Sequence, residues 1–326
     1  MRRVPLKIFA VAAGCAGLGL LVVQSGPHEL AGALASFDLR LLPLLLALVI
    51  ADYALRFWRW HLLANIVSGR LLPLKADLAV FLAANVLLFA PARAGDWTRS
   101  IYARNLFGVP ASVTAPVPLL ERIVDIAIMG LLAVFGAVAF GASPVWAIAG
   151  LLLAAVTTGL FATRPVRDAG VSVLDRLTGR RLATPAAAFF DNLDALWRPL
   201  PLAIASGLGL VAWLCECLAF FVVLWGLGLT PSLLLGAQAS FIYPVGNLAG
   251  SLSMLPSGLG VAEGSITGLT TSVVGAMASQ AFAAALIIRL AIVGFGVVSG
   301  LPGLAFVSRA GSCEAAPVEA RTVPAA

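Results

Sequence analysis

Charged side chains recur inside long apolar stretches of this sequence, and they are the residues whose types could carry chemistry. A charge at the centre of a lipid bilayer costs about 2.5–3.5 kcal/mol on insertion scales, so such residues must face a protein interior and pair. Arginines in that setting hold anionic groups, and carboxylates balance them or pass protons. We predict that one polar path is formed by Arg93, Asp96, Arg99, Glu121, Arg122, Asp125, Glu263 and Arg289.

Two carboxylates of this path share a helical face. Glu121 and Asp125 are four residues apart, which places them one turn apart on the same side of a helix. Two neighbouring carboxylates favour a nearby cation, for which Arg122, Arg93 and Arg289 are the candidates. The alternative interpretation is that these charges are structural ion pairs that only hold helices together.

Three further charges have a secondary place in the prediction. Asp52 and Arg56 are also four residues apart, and they serve either the path or a structural ion pair near the membrane interface. Glu216 stands alone in an apolar segment. It is either a proton-coupling carboxylate or a protonated, hydrogen-bonded core residue.

Familiar soluble catalytic motifs are absent from the sequence. There is no GxSxG, no HExxH and no phosphate-binding glycine loop followed by lysine. His28 and His61 are the only histidines, so a histidine-based nucleophile relay has little to build on. The four cysteines, Cys15, Cys215, Cys217 and Cys313, fit packed membrane cysteines better than metal ligands. We expect no cofactor and no metal, and no enzyme activity.

Two regions combine short apolar arms with prolines, glycines and charges. The arms at 78–90 and 97–107 have at most about 13 residues, roughly 20 Å as helix, against about 30 Å of hydrocarbon. Irregular backbone at membrane depth needs a polar cavity or protein around it. We therefore predict two re-entrant helical hairpins. The breaks are Asn85, Pro91 and Gly95 in the first hairpin and Asn247, Pro256, Gly258 and Gly260 in the second.

The two broken regions resemble each other in order. Asn85, Pro91, Gly95, Asp96 and Arg122 align with Asn247, Pro256, Gly260, Glu263 and Arg289. Three predicted crossings separate the hairpins, and an odd number places the second hairpin on the opposite face of the membrane. This is an inverted repeat, an arrangement that many transporters use around a midplane site.

Composition places the whole chain in a membrane. Of its 326 residues 61% are hydrophobic and only 11% are charged, against roughly 25% charged in soluble domains. We predict an all-α polytopic protein with about six full spans plus the two hairpins, or eight or so spans if the hairpins cross. The predicted spans are 1–23, 40–60, 113–141, 145–163, 201–228 and 280–307.

The basic residues lie mainly in loops on one side, which predicts cytoplasmic N- and C-termini and argues against nucleic acid as a partner. We predict a single transmembrane domain over 1–308, with repeats at about 40–163 and 200–308. Between them, 164–199 is a cytoplasmic loop with an interfacial helix, and 309–326 is a disordered cytoplasmic tail. An aromatic and basic belt at the cytoplasmic interface is suggested by Tyr53, Trp58, Trp60 and His61, together with Arg56 and Arg59.

The ordered motifs resemble a flippase-like membrane family. They are Asn85 with Pro91-Ala92-Arg93-Ala94-Gly95-Asp96 and Arg99, then Glu121-Arg122 with Asp125, then Pro256-Ser257-Gly258-Leu259-Gly260-Val261 with Glu263. The family includes the transmembrane half of lysylphosphatidylglycerol synthase, the bacterial multiple peptide resistance factor. The sequence departs from it in detail, with Asp96 where Glu is common and Ser257 where Gly is common.

The resemblance covers roughly residues 1–308, and the aminoacyl-transfer domain of the synthase has no counterpart in it. It implies lipid translocation in a bacterial cytoplasmic membrane, with membrane lipids as partners and envelope-lipid biosynthetic enzymes as further candidates. We expect alternating access for an amphiphilic lipid, such as a phospholipid, lipid-linked sugar or hopanoid-type lipid. The alternatives are a membrane-embedded lipid-modifying transferase and a non-catalytic scaffold of an envelope-lipid pathway.

Overall fold

A computed structural model describes residues 27–89, 94–141, 183–253 and 255–310, together with residues 145 and 152. Helices and turns account for this part of the chain, which contains no strand. The helices are α1 Pro27–Ala35, α2 Leu42–Ser68, α3 Leu74–Asn85, α4 Ala94–Phe107, α5 Ala111–Thr114, α6 Pro116–Ala139, α7 Ala183–Leu196, α8 Pro199–Gly226, α9 Leu233–Leu252, α10 Val261–Leu269, α11 Ala278–Arg289 and α12 Phe295–Ala310.

Four helical segments within the described ranges are long and apolar enough to cross a membrane. They are Leu39–Ser68, Ala111–Ala139, Pro199–Gly226 and Ala278–Ala310. Large apolar side chains such as Phe135, Val298 and Leu301 are exposed on these segments, which suits contact with lipid. The segments confirm an all-helical membrane protein, and the predicted spans at 1–23 and 145–163 fall outside the described residues apart from 145 and 152.

Local sequence signals explain where the long helices start. Proline occupies the first turn of α2, α6 and α8, where its missing N–H would have no helical partner. Ser232 caps α9 by accepting a hydrogen bond from the Leu235 amide at 3.0 Å. Gly69 follows α2 with φ of 61°, a left-handed conformation that ends the helix.

Two shorter helix pairs pack between these segments. A 3₁₀ turn, Val86–Phe89, follows α3 and leads towards α4, while another, Pro256–Gly258, lies between α9 and α10. Both pairs pack very closely: a Cβ atom on Gly95 would lie 2.8 Å from the Ala84 carbonyl oxygen. One on Gly250 would lie 2.7 Å from the Cβ of Ala262. The two 3₁₀ turns contact each other inside the bundle.

The packing partners of the helices follow an exchange pattern. The long helices α2 and α8 pack against each other. Helix α3, in the first half of the chain, packs on α12 at the end of the second half. Helix α9, in the second half, packs on α6 in the first half. Helix α1 packs on α11, and α7 packs on α5 and α6. The contacts correspond in pairs when the two halves of the chain are exchanged. The α3–α12 contact corresponds to α9–α6, the α1–α11 contact corresponds to α7–α6, and the α2–α8 contact corresponds to itself.

Two predictions from the sequence, the break at Asn247 and the interfacial position of the helix in 164–199, need correction. Asn247 does not mark a break, because α9 continues through it to Leu252 and its side-chain amide donates to the Tyr243 carbonyl at 3.0 Å. The helix over the predicted interfacial segment is confirmed as α7, but Leu193 and Leu196 are fully buried against the bundle. Pro91 and Arg93, which were predicted for the first break and the path, lie outside the described residues.

The turn at Gly258 provides a test of this packing. Gly258 and Gly275 both have positive φ, 67° and 79°, but only Gly258 has backbone nearby, with Gly250 Cα 2.8 Å from an added Cβ. We expect Gly275→Ala to cost about 1–2 kcal/mol from the left-handed backbone alone. Gly258→Ala should cost about 1–3 kcal/mol more because the Gly250 backbone must move. Thermal unfolding of the two variants in detergent measures the difference, and equal midpoints would contradict the close contact.

Candidate functional site

A buried cluster of charges lies where α2, α4, α6 and α8 meet. Its centre is Arg59 on α2, which is 1% exposed. Arg59 Nη1 lies 2.8 Å from Asp125 Oδ1, and Arg59 Nε lies 3.3 Å from Glu121 Oε1, both on α6. The spacing of Glu121 and Asp125, one turn apart, lets one guanidinium reach both carboxylates.

Arg56, one turn earlier on α2, links three carboxylates. Its Nε lies 2.7 Å from Asp52 Oδ1, and its two Nη atoms reach Glu216 on α8 and Asp125 on α6. The second Glu216 oxygen accepts a hydrogen bond from the Tyr243 hydroxyl at 2.7 Å. Glu216 therefore connects α8 to both α2 and α9, and it is not isolated in the fold.

Asp96, at the start of α4, connects the cluster to the first turn. Arg99 reaches Asp96 at 3.3 Å and Glu121 at 3.2 Å, and its guanidinium lies 4.4 Å from the centre of the Phe81 ring. Arg122 on α6 reaches Asp96 Oδ2 at 3.0 Å. Because 28% of the Arg122 side chain is exposed, this guanidinium is the accessible edge of the cluster.

The second half repeats the last of these contacts. Arg289 on α11 lies 2.8 Å from Glu263 on α10, as Arg122 lies against Asp96 in the first half. Glu263 also accepts from the Gly260 amide at 2.7 Å, and Arg289 donates to the Ser257 carbonyl. The backbone amide of Gly260, just before α10, is thus bonded to the protein's own Glu263 carboxylate.

Two adjoining cavities lie beside these charges. The larger, about 220 Å³, lies between α6, α9 and α10, and the smaller, about 60 Å³, extends to Asp52 and Glu216. Four residues line both: Arg122, Asn247, Ser257 and Arg289. One arginine from each half therefore faces a shared space, next to the point where the two 3₁₀ turns touch.

The structure brings together most of the predicted site residues. Asp52, Arg56, Asp96, Arg99, Glu121, Arg122, Asp125 and Glu216 form the connected cluster, and Glu263 with Arg289 forms the pair across the cavity. Arg99 is buried within this cluster.

Sequence reasoning missed Arg59, although Arg122, one of the cations suggested for Glu121 and Asp125, does lie 3.6 Å from Asp125. The predicted interfacial belt is wrong for Tyr53, Arg59, Trp60 and His61, which are all buried, whereas Trp58 is 44% exposed. The reason is that α2 continues to Ser68, so these residues lie within a packed helix and not at its end. The available signal was the repeat of Asp52, Arg56 and Arg59 on one face.

Asp77 was missed as well. It is fully buried on α3 and accepts from Trp60 Nε1 at 3.0 Å, while its other oxygen lies 2.6 Å from His61 Nδ1. These hydrogen bonds hold α3 against α2 next to the charged cluster. His61 thus has a structural partner, and no group of three potential metal ligands occurs among the residues that the structure describes.

Comparison with known proteins identifies relatives over most of the chain. The family model described as the lysylphosphatidylglycerol synthase TM region matches residues 7–300. A UPF0104 membrane protein of Methanothermobacter thermautotrophicus is 25% identical, over 76% of this chain and 78% of its own length.

Proposed function

The chain belongs to the lysylphosphatidylglycerol synthase transmembrane-region family, and from this premise we propose that it moves an amphiphilic lipid between membrane leaflets. One observation carries the proposal. The turns of two helix pairs meet inside the bundle beside a cavity that receives one arginine from each half. A polar headgroup can pass such a point without facing hydrocarbon, because the protein supplies its charge partners.

The proposed arrangement is an inverted repeat of two re-entrant hairpins, α3–α4 and α9–α10. Two hydrogen bonds support it. The Asp38 amide donates to the Gly226 carbonyl, so α2 begins where α8 ends, and Gln280 reaches the Leu227 carbonyl, so α11 begins at that same end. The second hairpin, between α8 and α11, starts and returns there. The first hairpin follows the far end of α2.

The distribution of basic residues favours a cytoplasmic location for the end of the bundle at which the first hairpin, α3–α4, starts and returns. Among the described residues, Arg70, Lys75, Arg104 and Arg309 all lie in or beside the helix ends at that side. Positively charged loops are retained in the cytoplasm during insertion. We therefore place the protein in a cytoplasmic membrane with the first hairpin entering from the cytoplasm, and α7 on that same side.

In this mechanism Arg122 and Arg289 contact the headgroup in turn. Each arginine is held by one carboxylate, Asp96 or Glu263, and each faces the cavity from its own half. An anionic group entering the cavity can replace part of these ion pairs with charge-assisted hydrogen bonds. Closing one hairpin over the headgroup while the other opens would give alternating access.

The first test is lipid scrambling in liposomes. We expect wild-type protein to accelerate the dithionite bleaching of a fluorescent phospholipid. Arg122→Ala should slow it roughly tenfold or more, since a hydrogen bond to a charged group contributes about 1.5–3 kcal/mol. Arg104→Ala, which removes an exposed arginine on α4, is the matched control and should scramble normally.

The outcomes separate the proposed function from its rivals. Equal scrambling by wild type and Arg122→Ala would contradict passage through the cavity. No acceleration with any lipid headgroup tested would contradict transport and favour a scaffold. A new lipid product that forms only when a metal ion is added would instead identify a transferase.

A further inference from the structure

Asp52 has an unusual position in the charged cluster. It is 1% exposed on α2 and lines the smaller cavity. Its Oδ1 accepts from Arg56, but its Oδ2 has no hydrogen-bond partner among the described residues. Buried carboxylate oxygens nearly always have a partner, so this atom is suited to a small exchanging ligand.

Both oxygens of each of the other four carboxylates lie within ion-pair or hydrogen-bond distance of an arginine or of the Tyr243 hydroxyl. Asp96 contacts Arg99 and Arg122, and Glu121 contacts Arg59 and Arg99. Asp125 is held by arginines on both oxygens, and Glu216 receives Arg56 on one oxygen and Tyr243 on the other. Asp52 differs from all of them in its second oxygen.

The charges of the cluster do not balance. Its described members are four arginines, Arg56, Arg59, Arg99 and Arg122, and five carboxylates, Asp52, Asp96, Glu121, Asp125 and Glu216. The formal charge is −1 when every group is ionised. An uncompensated buried charge is strongly unfavourable, and a single proton removes it.

The smaller cavity gives that proton a route. At about 60 Å³ it is large enough to hold water, and Arg122 and Asn247 line both this cavity and the larger one. Asn85 Nδ2 and Trp213 Nε1, on the same wall, also lack a partner among the described residues. Water held by these groups can connect Asp52 Oδ2 to the larger cavity.

We propose that Asp52 is the proton-binding site of this protein and that lipid movement is coupled to its protonation. The coupling rests on the proposed function, whereas the proton site stands without it. A proton from water binds Asp52 Oδ2 and makes the cluster neutral, which favours a closed interior. Release of the proton to water restores the charge of −1, which favours an interior open to water on one side.

The charged and titratable groups facing Asp52 come from every element packed around it. Arg56 lies on the same helix, and Cys215 and Glu216 come from α8, Arg122 and Asp125 from α6, Asp96 and Arg99 from α4, Tyr243 from α9 and Arg289 from α11. Asp52 Oδ2 faces the cavity wall without a hydrogen-bond partner among the described residues, whereas the corresponding oxygen of Asp96 lies 3.0 Å from Arg122 Nη2.

The experiment has a readout that needs no lipid transport. Infrared difference spectra of purified protein between alkaline and acidic buffer should show one carboxylic-acid C=O band that shifts in D₂O. The band should be lost in Asp52→Asn and retained in Asp191→Asn, an exposed control on α7. Asp52→Glu, which keeps a protonatable group, should retain a shifted band. In sodium-free liposomes, an imposed pH gradient should change wild-type scrambling several-fold and leave Asp52→Asn unaffected.

Each contrary result contradicts one identifiable part of the proposal. A wild-type spectrum without the band, or the same band in Asp52→Asn, overturns the proton site. Scrambling that ignores the pH gradient overturns the coupling, and a rate that depends on added sodium at constant pH overturns the proton as the coupling ion. Scrambling at the protein-free level overturns the proposed function, while the infrared result still decides the proton site.

Discussion

Replacing Arg59 by methionine is expected to destabilise the protein more than any other single change in the charged cluster. Arg59 contacts Glu121 and Asp125, and all three side chains are almost fully buried. Removing one partner of a buried ion pair costs about 3–5 kcal/mol, because the remaining charge loses its counter-ion. We expect the thermal midpoint in detergent to fall by about 10 °C.

The control for Arg59→Met is Arg70→Met, which removes an exposed arginine just beyond the end of α2 and should leave the midpoint unchanged. The double variant Arg59→Met/Asp125→Leu should recover part of the loss, because it removes one of the two carboxylates that lose their contact with Arg59. A single variant as stable as the wild type would show that the cluster does not depend on Arg59.

The sequence indicated corresponding positions for Asp96 and Arg122 in one half and Glu263 and Arg289 in the other, and the structure brings each carboxylate to its arginine. Asp96 and Arg122, like Glu263 and Arg289, flank a break and the helix after it, and lipid cannot accept these charges unpaired. The family resemblance pointed to the same positions, and the family match confirms that relationship. Apolar length also predicted the long helices well, since four of the predicted spans correspond to the four candidate segments.

The contacts between helices that are distant in the sequence could not be predicted in the same way. Arg59 meets Asp125 only because α2 packs beside α6, and nothing in the sequence near Arg59 specifies that neighbour. Its aromatic neighbours also resemble an interfacial belt, so the predicted span ended at Trp60 although α2 continues to Ser68. Asn247 misled for a local reason, because its amide bonds to the helix's own Tyr243 carbonyl and leaves the helix intact.

Cysteine labelling is expected to place the two hairpins on opposite faces of the membrane. In a background with Cys15, Cys215, Cys217 and Cys313 replaced by alanine, Asn105→Cys reports the return end of the first hairpin. Ser272→Cys reports the return end of the second, and both positions are exposed. With a membrane-impermeant maleimide added to intact cells, we expect Ser272→Cys to be labelled and Asn105→Cys to react only after the membrane is opened.

Ser36→Cys makes this labelling result independent of the absolute orientation. Residue 36 stands just before Asp38, whose amide donates to the Gly226 carbonyl, so it must share the face of Ser272 if α9–α10 starts and returns at that end. An inverted repeat therefore requires positions 36 and 272 to react together and position 105 to react from the other side. Labelling of 105 and 272 from the same side would rule out the inverted arrangement, and with it a cavity reached alternately from two faces.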